Sequence, residues 1–283
     1  MCFGMENRKV WADIHNHIGT PSKRYDFNQV VDASLGKLGK GGISGVTDYG
    51  DNRAKAVFEG RGYERQDYGN AIYVPEKEII LIHGDEVPTR QGHVVAIGLH
   101  KDVHLKHGRE LEDTIKEIED KGGISVADHI FYKDGIGPYI SHKHEIISKL
   151  DAIEIFNGEA NLWIPGVTPS RANEMAEHFY EAIKKDFPNL GSVVTSDGHS
   201  LYEIGSSCMM IPKLKTTCGK GIIESLRAGL KIQRTPEEER KSYYISRIGA
   251  FQHMVELAYY LTKDKLTHAP EFKDLFDMDK DKE

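Results

Sequence analysis

Apolar, β-branched runs alternate along the chain with segments whose apolar residues recur at helical spacing. This is the pattern of repeated β-α units around a mainly parallel sheet. Val10–His17, Ile43–Asp48, Ile124–His129, Ala152–Phe156, Ser192–Thr195 and Cys208–Ile211 read as strands. Phe27–Lys40 sets Val30, Val31, Leu35 and Leu38 on one helical face, and Glu110–Asp120 does the same with Leu111, Ile115 and Ile118 before Gly122 and Gly123 stop it. Further helices are expected over Asp51–Phe58, Ser141–Leu150, Gly221–Ala228 and Ser170–Phe187, the last behind a Thr168-Pro169 start signal. A loop is expected through Gly62 and Gly69. Ile79–Val87 and His93–Leu99 flank the turn-like Pro88–Gly92, so one hairpin interrupts the helical crossovers. Ser242–Thr262 is a long helical pattern whose aromatic residues suit packing, and the Asp- and Lys-rich tail from Asp274 is expected to fray. The expected organisation is one α/β domain over residues 1–240, with a C-terminal helical extension and tail over 241–283 packed on it.

Composition narrows the class without changing that outline. A chain of 283 residues with 39% hydrophobic and 29% charged residues can bury a substantial core, and α/β barrels of this size form single domains. No uncharged apolar run approaches the roughly 18 residues a bilayer span requires, and Met1–Glu6 lacks the basic and apolar parts of a signal peptide. The expected location is therefore cytoplasmic, with no membrane association and no obligate protein partner. Three cysteines, Cys2, Cys208 and Cys218, lack zinc-knuckle spacing and read as reduced thiols, Cys208 as core. A formal net charge of −7 argues against wholesale binding to a phosphate backbone.

The informative polar residues stand at the ends of the apolar runs, where α/β folds put their chemistry. Val193–Ser200 ends in Asp197 and His199, and Val10–His17 ends in His15 and His17; side chains two apart on a strand share a face. Glu86, His93 and His129 stand at or near other predicted strand ends. Any one of them reads as an ordinary hydrogen-bonded residue. Seven together on separate strand ends point to metal binding, because buried ionisable groups without partners are costly. Imidazole and carboxylate in this mixture suit zinc, manganese or iron, and Glu86 can bridge two ions.

Asp13-Ile-His-Asn-His17, Val46-Thr-Asp48, Gly84-Asp-Glu86, Gly92-His93, Val126-Ala-Asp-His129, Ala152–Asn157 and Thr195–Ser200 resemble, in order, the motifs of the PHP (polymerase and histidinol phosphatase) superfamily of metal-dependent phosphoesterases. The likeness runs from about Asp13 to Ile211. It implies a distorted (β/α)7-type barrel, two or three divalent ions (Zn, Mn or Fe) at its C-terminal mouth, and hydrolysis of phosphate esters. Carried over, His15 and His17 hold the first ion with Asp197, Glu86 bridges, His93 and His129 hold the second, and His199 belongs to a third site. The chain departs from the family at Tyr49, where a histidine usually follows Thr-Asp; a phenol with a reference pKa near 10 is a poor substitute for neutral imidazole. Asp26 is a candidate for a further ligand position after the first His-x-His. A two-metal centre with a weak or empty third site is therefore expected.

The expected reaction is attack on phosphorus by a metal-activated hydroxide, with Glu86, Asp197 and His199 as catalytic ligands. The expected partner is a small phosphorylated substrate, extending to a nucleotide or short oligonucleotide. Tyr49, Arg24, Lys133 and Arg171, with Lys23 and Arg90, are the candidate phosphate-binding groups. Asp13, Asp48 and Asn157 are expected to orient ligating histidines. A metal-dependent amidohydrolase on a related barrel and a non-catalytic metal-binding module are the competing readings.

Overall fold

A computed structural model describes residues 8–18, 25–49, 53–161, 170–215, 218–232 and 239–242. In chain order they form β1 (Lys9–Asp13), α1 (Phe27–Leu38), β2 (Ile43–Asp48), α2 (Arg53–Glu59), β3 (Gln66–Asp67), β4 (Ala71–Val74), β5 (Ile79–Thr89), β6 (Gly92–Ile97), α3 (Leu111–Asp120), β7 (Ile124–Ala127), α4 (Gly137–Ile140), α5 (His144–Ile147), β8 (Ala152–Asn157), α6 (Ala172–Ile183), β9 (Gly191–Thr195), β10 (Ser207–Pro212), α7 (Gly219–Ile232) and β11 (Arg240–Ser242).

The sheet runs β11-β10-β1-β2-β5-β6-β7-β8-β9. Pairing is parallel for β1·β2, β2·β5, β7·β8 and β8·β9 and antiparallel on both sides of β6. Six strands (β1, β2, β5, β7, β8 and β9) therefore end at one rim, and the reversed β6 begins there. Beyond β9, Gly198 bridges in parallel to Asn16 beyond β1, and Asp197 N donates to His15 O at 2.9 Å. The sheet thus curls into a nearly closed barrel, a distorted member of the expected class. The strand β5 is buried along its whole length, its apolar start Ile79–Ile82 giving way toward the rim to the buried polar residues His83, Asp85 and Glu86. Helices α3, α6 and α7 contribute Ile115, Ala176 and Leu226 to the larger apolar core, while Val30 of α1 and Phe58 of α2 pack in a second cluster with Leu81.

The predicted first strand stops four residues early. Its register against β2 slips by one residue between Asp13↔Ser44 and His17↔Thr47, a bulge of the kind that re-aims side chains. Gly45 permits it: a Cβ there would stand 2.1 Å from Ile14 O. The expected loop through Gly62 and Gly69 holds the two-residue β3, which pairs antiparallel with β4 just beyond it, and β4 in turn pairs antiparallel with β5; the runs are too short for their own periodicity to announce them. Of the helix expected over Ser141–Leu150 only the one-turn α5 forms, and a second short helix, α4, lies just before that range. Asp26 is the N-cap of α1: its carboxylate accepts from Gln29 N at 2.9 Å while the Gln29 side chain accepts from Asp26 N, a reciprocal capping box. It is therefore not in the ligand cluster. The strand β11 carries the sheet to Ser242, across the expected boundary at 240, and the helix and tail expected beyond it lie outside the described residues. No helix among the described residues is long and apolar enough to cross a membrane.

Candidate metal centre

The rim gathers His15 and His17 beyond β1, Tyr49 beyond β2, Glu86 on β5, His93 on β6, Asp128 and His129 beyond β7, and Asp197 and His199 beyond β9. Glu86 sits between them. Its Oε2 lies 2.8 Å from His17 Nε2 and 3.9 Å from His15 Nε2, while its Oε1 lies 2.7 Å from His93 Nδ1 and 3.1 Å from His129 Nε2. Each carboxylate oxygen thus faces a different pair of imidazoles. Asp197 Oδ1 stands 3.5 and 3.6 Å from the Nε2 atoms of His15 and His17. The His199 ring packs 4.9 Å from that of His17, and its Nδ1–H donates to Asp197 O at 3.0 Å. Three overlapping ligand sets result, each within 4.8 Å: Glu86–His93–Asp128–His129, His15–His17–Glu86, and His17–Asp197–His199.

Two of these ligands rest on unfavourable backbone. His129 has φ +26° and Asp197 φ +50°, a region where a side chain costs of order 1–3 kcal/mol and which persists where surrounding bonds fix it. Those bonds come from β8. Glu154 Oε2 accepts from His129 N at 2.7 Å and from Asn157 Nδ2 at 2.9 Å, and Asn157 Nδ2 also donates to Asp197 Oδ2 at 3.0 Å. Glu154 Oε1 accepts from His15 Nδ1–H at 2.8 Å and from Thr195 Oγ1 at 2.7 Å. The His15 Nε2 lone pair is thereby turned toward Glu86 and Asp197, the carboxylate–histidine arrangement that orients metal-binding imidazoles.

Glu154 was within reach of the sequence, as the carboxylate of Ala152–Asn157, but its strand interior position reads as core. Asp128 was hidden by the more conspicuous His129 beside it. Asp13 does not orient a histidine ring. It accepts from Ser196 N at 3.0 Å and Gly205 N at 2.7 Å, and so fixes the main chain that carries Asp197. Asp48's side chain and Lys23 and Arg24 lie outside the described residues. The Lys133 and Arg171 side chains are 83% and 76% exposed and pair with Asp134 and Glu174, and Arg90 pairs with Glu110, so all three belong to surface ion pairs. Tyr49 is closer in: its hydroxyl is 3.1 Å from His93 Nε2.

Mutual pairing sets the charge states. Burial opposes the imidazolium form of His15, yet Asp197 and Glu154 outweigh it and raise its pKa; Asp128 and Glu86 do the same for His129. Against their own burial, Glu86 is held below the carboxylate range by His93, His129 and His17, and Asp197 by His15, His17 and His199. Asp128 is pushed up to about 8 by desolvation, which the neighbouring His129 only partly offsets. Four buried atoms of the cluster lack any hydrogen-bond partner: both oxygens of Asp128, Asp197 Oδ1 and His129 Nδ1. Buried carboxylate oxygens without donors, facing imidazoles turned by carboxylates, fit divalent metal ions.

Comparison with solved structures agrees with this architecture. PsfC from Pseudomonas syringae PB-5123 aligns over 90% of this chain and 98% of its own, with a TM-score of 0.55 and 13% identity. The lesion-specific endonuclease PfuEndoQ from Pyrococcus furiosus aligns over 79% of this chain at a TM-score of 0.54 and 16% identity, and Endonuclease Q bound to a 27-mer duplex with an abasic lesion over 83% at 0.52 and 14%. The chain shares the fold of these proteins. It spans only 58% and 56% of the two Endonuclease Q chains, and at these identities the likeness concerns the fold alone. No family model and no curated protein matches the sequence.

Proposed function

We propose that this protein is a metal-dependent phosphoesterase whose site is the rim cluster around Glu86. The observation that carries this reading is the position of Glu86, one oxygen toward His17 and the other toward His93 and His129. His15, His17 and Asp197 would hold one ion, His93 and His129 a second, and Glu86 both. Bound divalent ions supply an activated water and neutralise charge on the phosphate oxygens.

The remaining work falls to the chain's own residues. Glu154 keeps the proton on His15 Nδ1, so the opposite nitrogen stays a donor of electron density. Asn157 holds one oxygen of Asp197 and leaves the other facing His15 and His17. The Tyr49 phenol is kept protonated by burial and by the nearby Glu86 and Asp128, so it can donate a hydrogen bond to an oxygen of the substrate. His199 stands at the edge of the cluster, grouped with His17 and Asp197, and would serve a third ion or the substrate. The Endonuclease Q structures, which share the fold, come from an enzyme acting on lesion-containing DNA, and this supports a phosphodiester or phosphomonoester as the substrate class. With a net charge of −7, a small phosphorylated molecule or short oligonucleotide suits this chain better than long nucleic acid.

Hydrolysis of an aryl phosphate and an aryl phosphodiester by the metal-loaded protein tests the reading. His17→Ala and Asp197→Ala should each lower kcat/KM by about 10³-fold or more, a loss of about 4 kcal/mol of transition-state stabilisation. Turnover that survives both substitutions would end it.

A further inference from the structure

Asp128 is the residue of the rim that the arrangement above leaves without a task. Its carboxylate is fully buried, and neither oxygen has a hydrogen-bond partner. The other carboxylates nearby are occupied: Glu154 accepts from four donors, Asp13 from two backbone N–H groups, and Glu86 lies between imidazoles. A buried carboxylate with nothing to accept from is costly, and a fold retains one where something outside the polypeptide satisfies it.

Its position says what that is. Asp128 Oδ2 lies 3.2 Å from His129 Nε2 without forming a hydrogen bond, and Glu86 Oε1 lies 3.1 Å from the same nitrogen. Donor atoms sharing one ion at bonds of 2.0–2.2 Å stand roughly 3 to 4 Å apart. Glu86, His93, Asp128 and His129 together offer four ligand atoms within 4.8 Å of one another. We propose that Asp128 is the fourth protein ligand of the second ion, making that site two imidazoles and two carboxylates. The inference rests on the two-ion reading above and deepens it. A second carboxylate shifts the donor set toward oxygen, so manganese(II) or iron(II) gains more from Asp128 than zinc does.

The full chain, stripped of metal, should be titrated with Mn²⁺ and separately with Zn²⁺ as wild type and as Asp128→Asn. Bound ions are counted by elemental analysis, affinities read by chelator competition, and the metal-free melting temperature recorded for each protein. Wild type should take up two ions. Asp128→Asn should keep the first and bind the second more weakly by well over about 100-fold for Mn²⁺, beyond the roughly 10–100-fold loss typical of residues that merely support a ligand, and less so for Zn²⁺. The metal-free variant should melt close to the metal-free wild type, because in both the side chain near neutral pH is an uncharged buried group with no hydrogen-bond donor to lose. A residue needed only for packing would lower that temperature. Equal affinity for the second ion, or a metal-free variant that melts well below wild type, would overturn the assignment to Asp128. A wild type that takes up no ion at all would instead remove the phosphoesterase reading.

Discussion

On the β8–β9 side of the rim, Glu154 accepts hydrogen bonds from His15, Thr195, His129 and Asn157, whereas on the β5–β7 side the equally buried Asp128 accepts none. Both carboxylates are enclosed by apolar strands, so burial alone does not separate them. The difference lies in what each was given to hold. Glu154 fixes the left-handed backbone of His129 and the tautomer of His15, and is complete as the chain folds. On the proposed reading the opposite wall, with Glu86, His93, Asp128 and His129, would be completed by ions. One side is a frame and the other a receptor, and removing a carboxylate from each should have different consequences for the metal-free protein.

The largest effect expected from this contrast belongs to Glu154→Ala. Four donors lose their acceptor in a site closed to water, and breaking a buried charged network of this kind costs about 3–5 kcal/mol. Urea unfolding in the presence of a chelator should show that loss, while Asp128→Asn shows none. If Glu154→Ala unfolds with the wild-type midpoint, the frame does not exist and the contrast fails.

A second test asks whether the carboxylate partner, rather than burial, decides the state of an imidazole. His83 lies on β5 below the rim, buried against Phe58 with its Nδ1 unpartnered, and burial lowers its pKa to about 4. His15, equally enclosed but facing Glu154 and Asp197, is raised. Folded His83 stays neutral down to about pH 4, while the unfolded chain binds its proton below the ordinary value of 6.5. The unfolded state therefore holds more protons in that window, and stability falls as pH drops through it. His83→Leu should remove this dependence. Between pH 7 and pH 4 the wild type should lose about 3 kcal/mol more than the variant, as read by urea unfolding in chelator. Asp13, whose pKa burial raises to about 6, acts in the opposite sense over the same range in both proteins and cancels in the difference.

Much of this rim was legible in the chain because strand ends announce themselves. Apolar runs finishing in His15, His17, Glu86, His129 and Asp197 place ligand types where parallel strands terminate, and the fold brings those residues together. What stayed hidden depends on contacts made far along the sequence. Glu154 looks like a strand interior residue until His15, 139 positions away, is set against it. Asp26 suits a ligand as well as a helix cap by type, and only its bond to Gln29 N decides for the cap. The bulge beyond β1 needs the closeness of Ile14 and Gly45, which no local pattern records.

Tyr49 yields the smallest effect and the finest test of where frame ends and receptor begins. It replaces the histidine expected for a third ion, but its hydroxyl faces His93 Nε2 at 3.1 Å, while His93 Nδ1 faces Glu86 at 2.7 Å. A protonated phenol beside the far nitrogen can accept the ring proton and so fix which nitrogen is free for an ion, the task Glu154 performs for His15. Tyr49→Phe keeps the ring packing against His17 and His93 and removes only the hydroxyl. The second ion should then bind about tenfold more weakly, with the first unchanged and the metal-free stability altered by about 1 kcal/mol or less. Chelator competition reads both affinities. Unchanged binding of the second ion would show that the phenol serves the substrate alone, and a drop in the first would place Tyr49 on the His17 side of Glu86, moving it from the receptor wall to the frame.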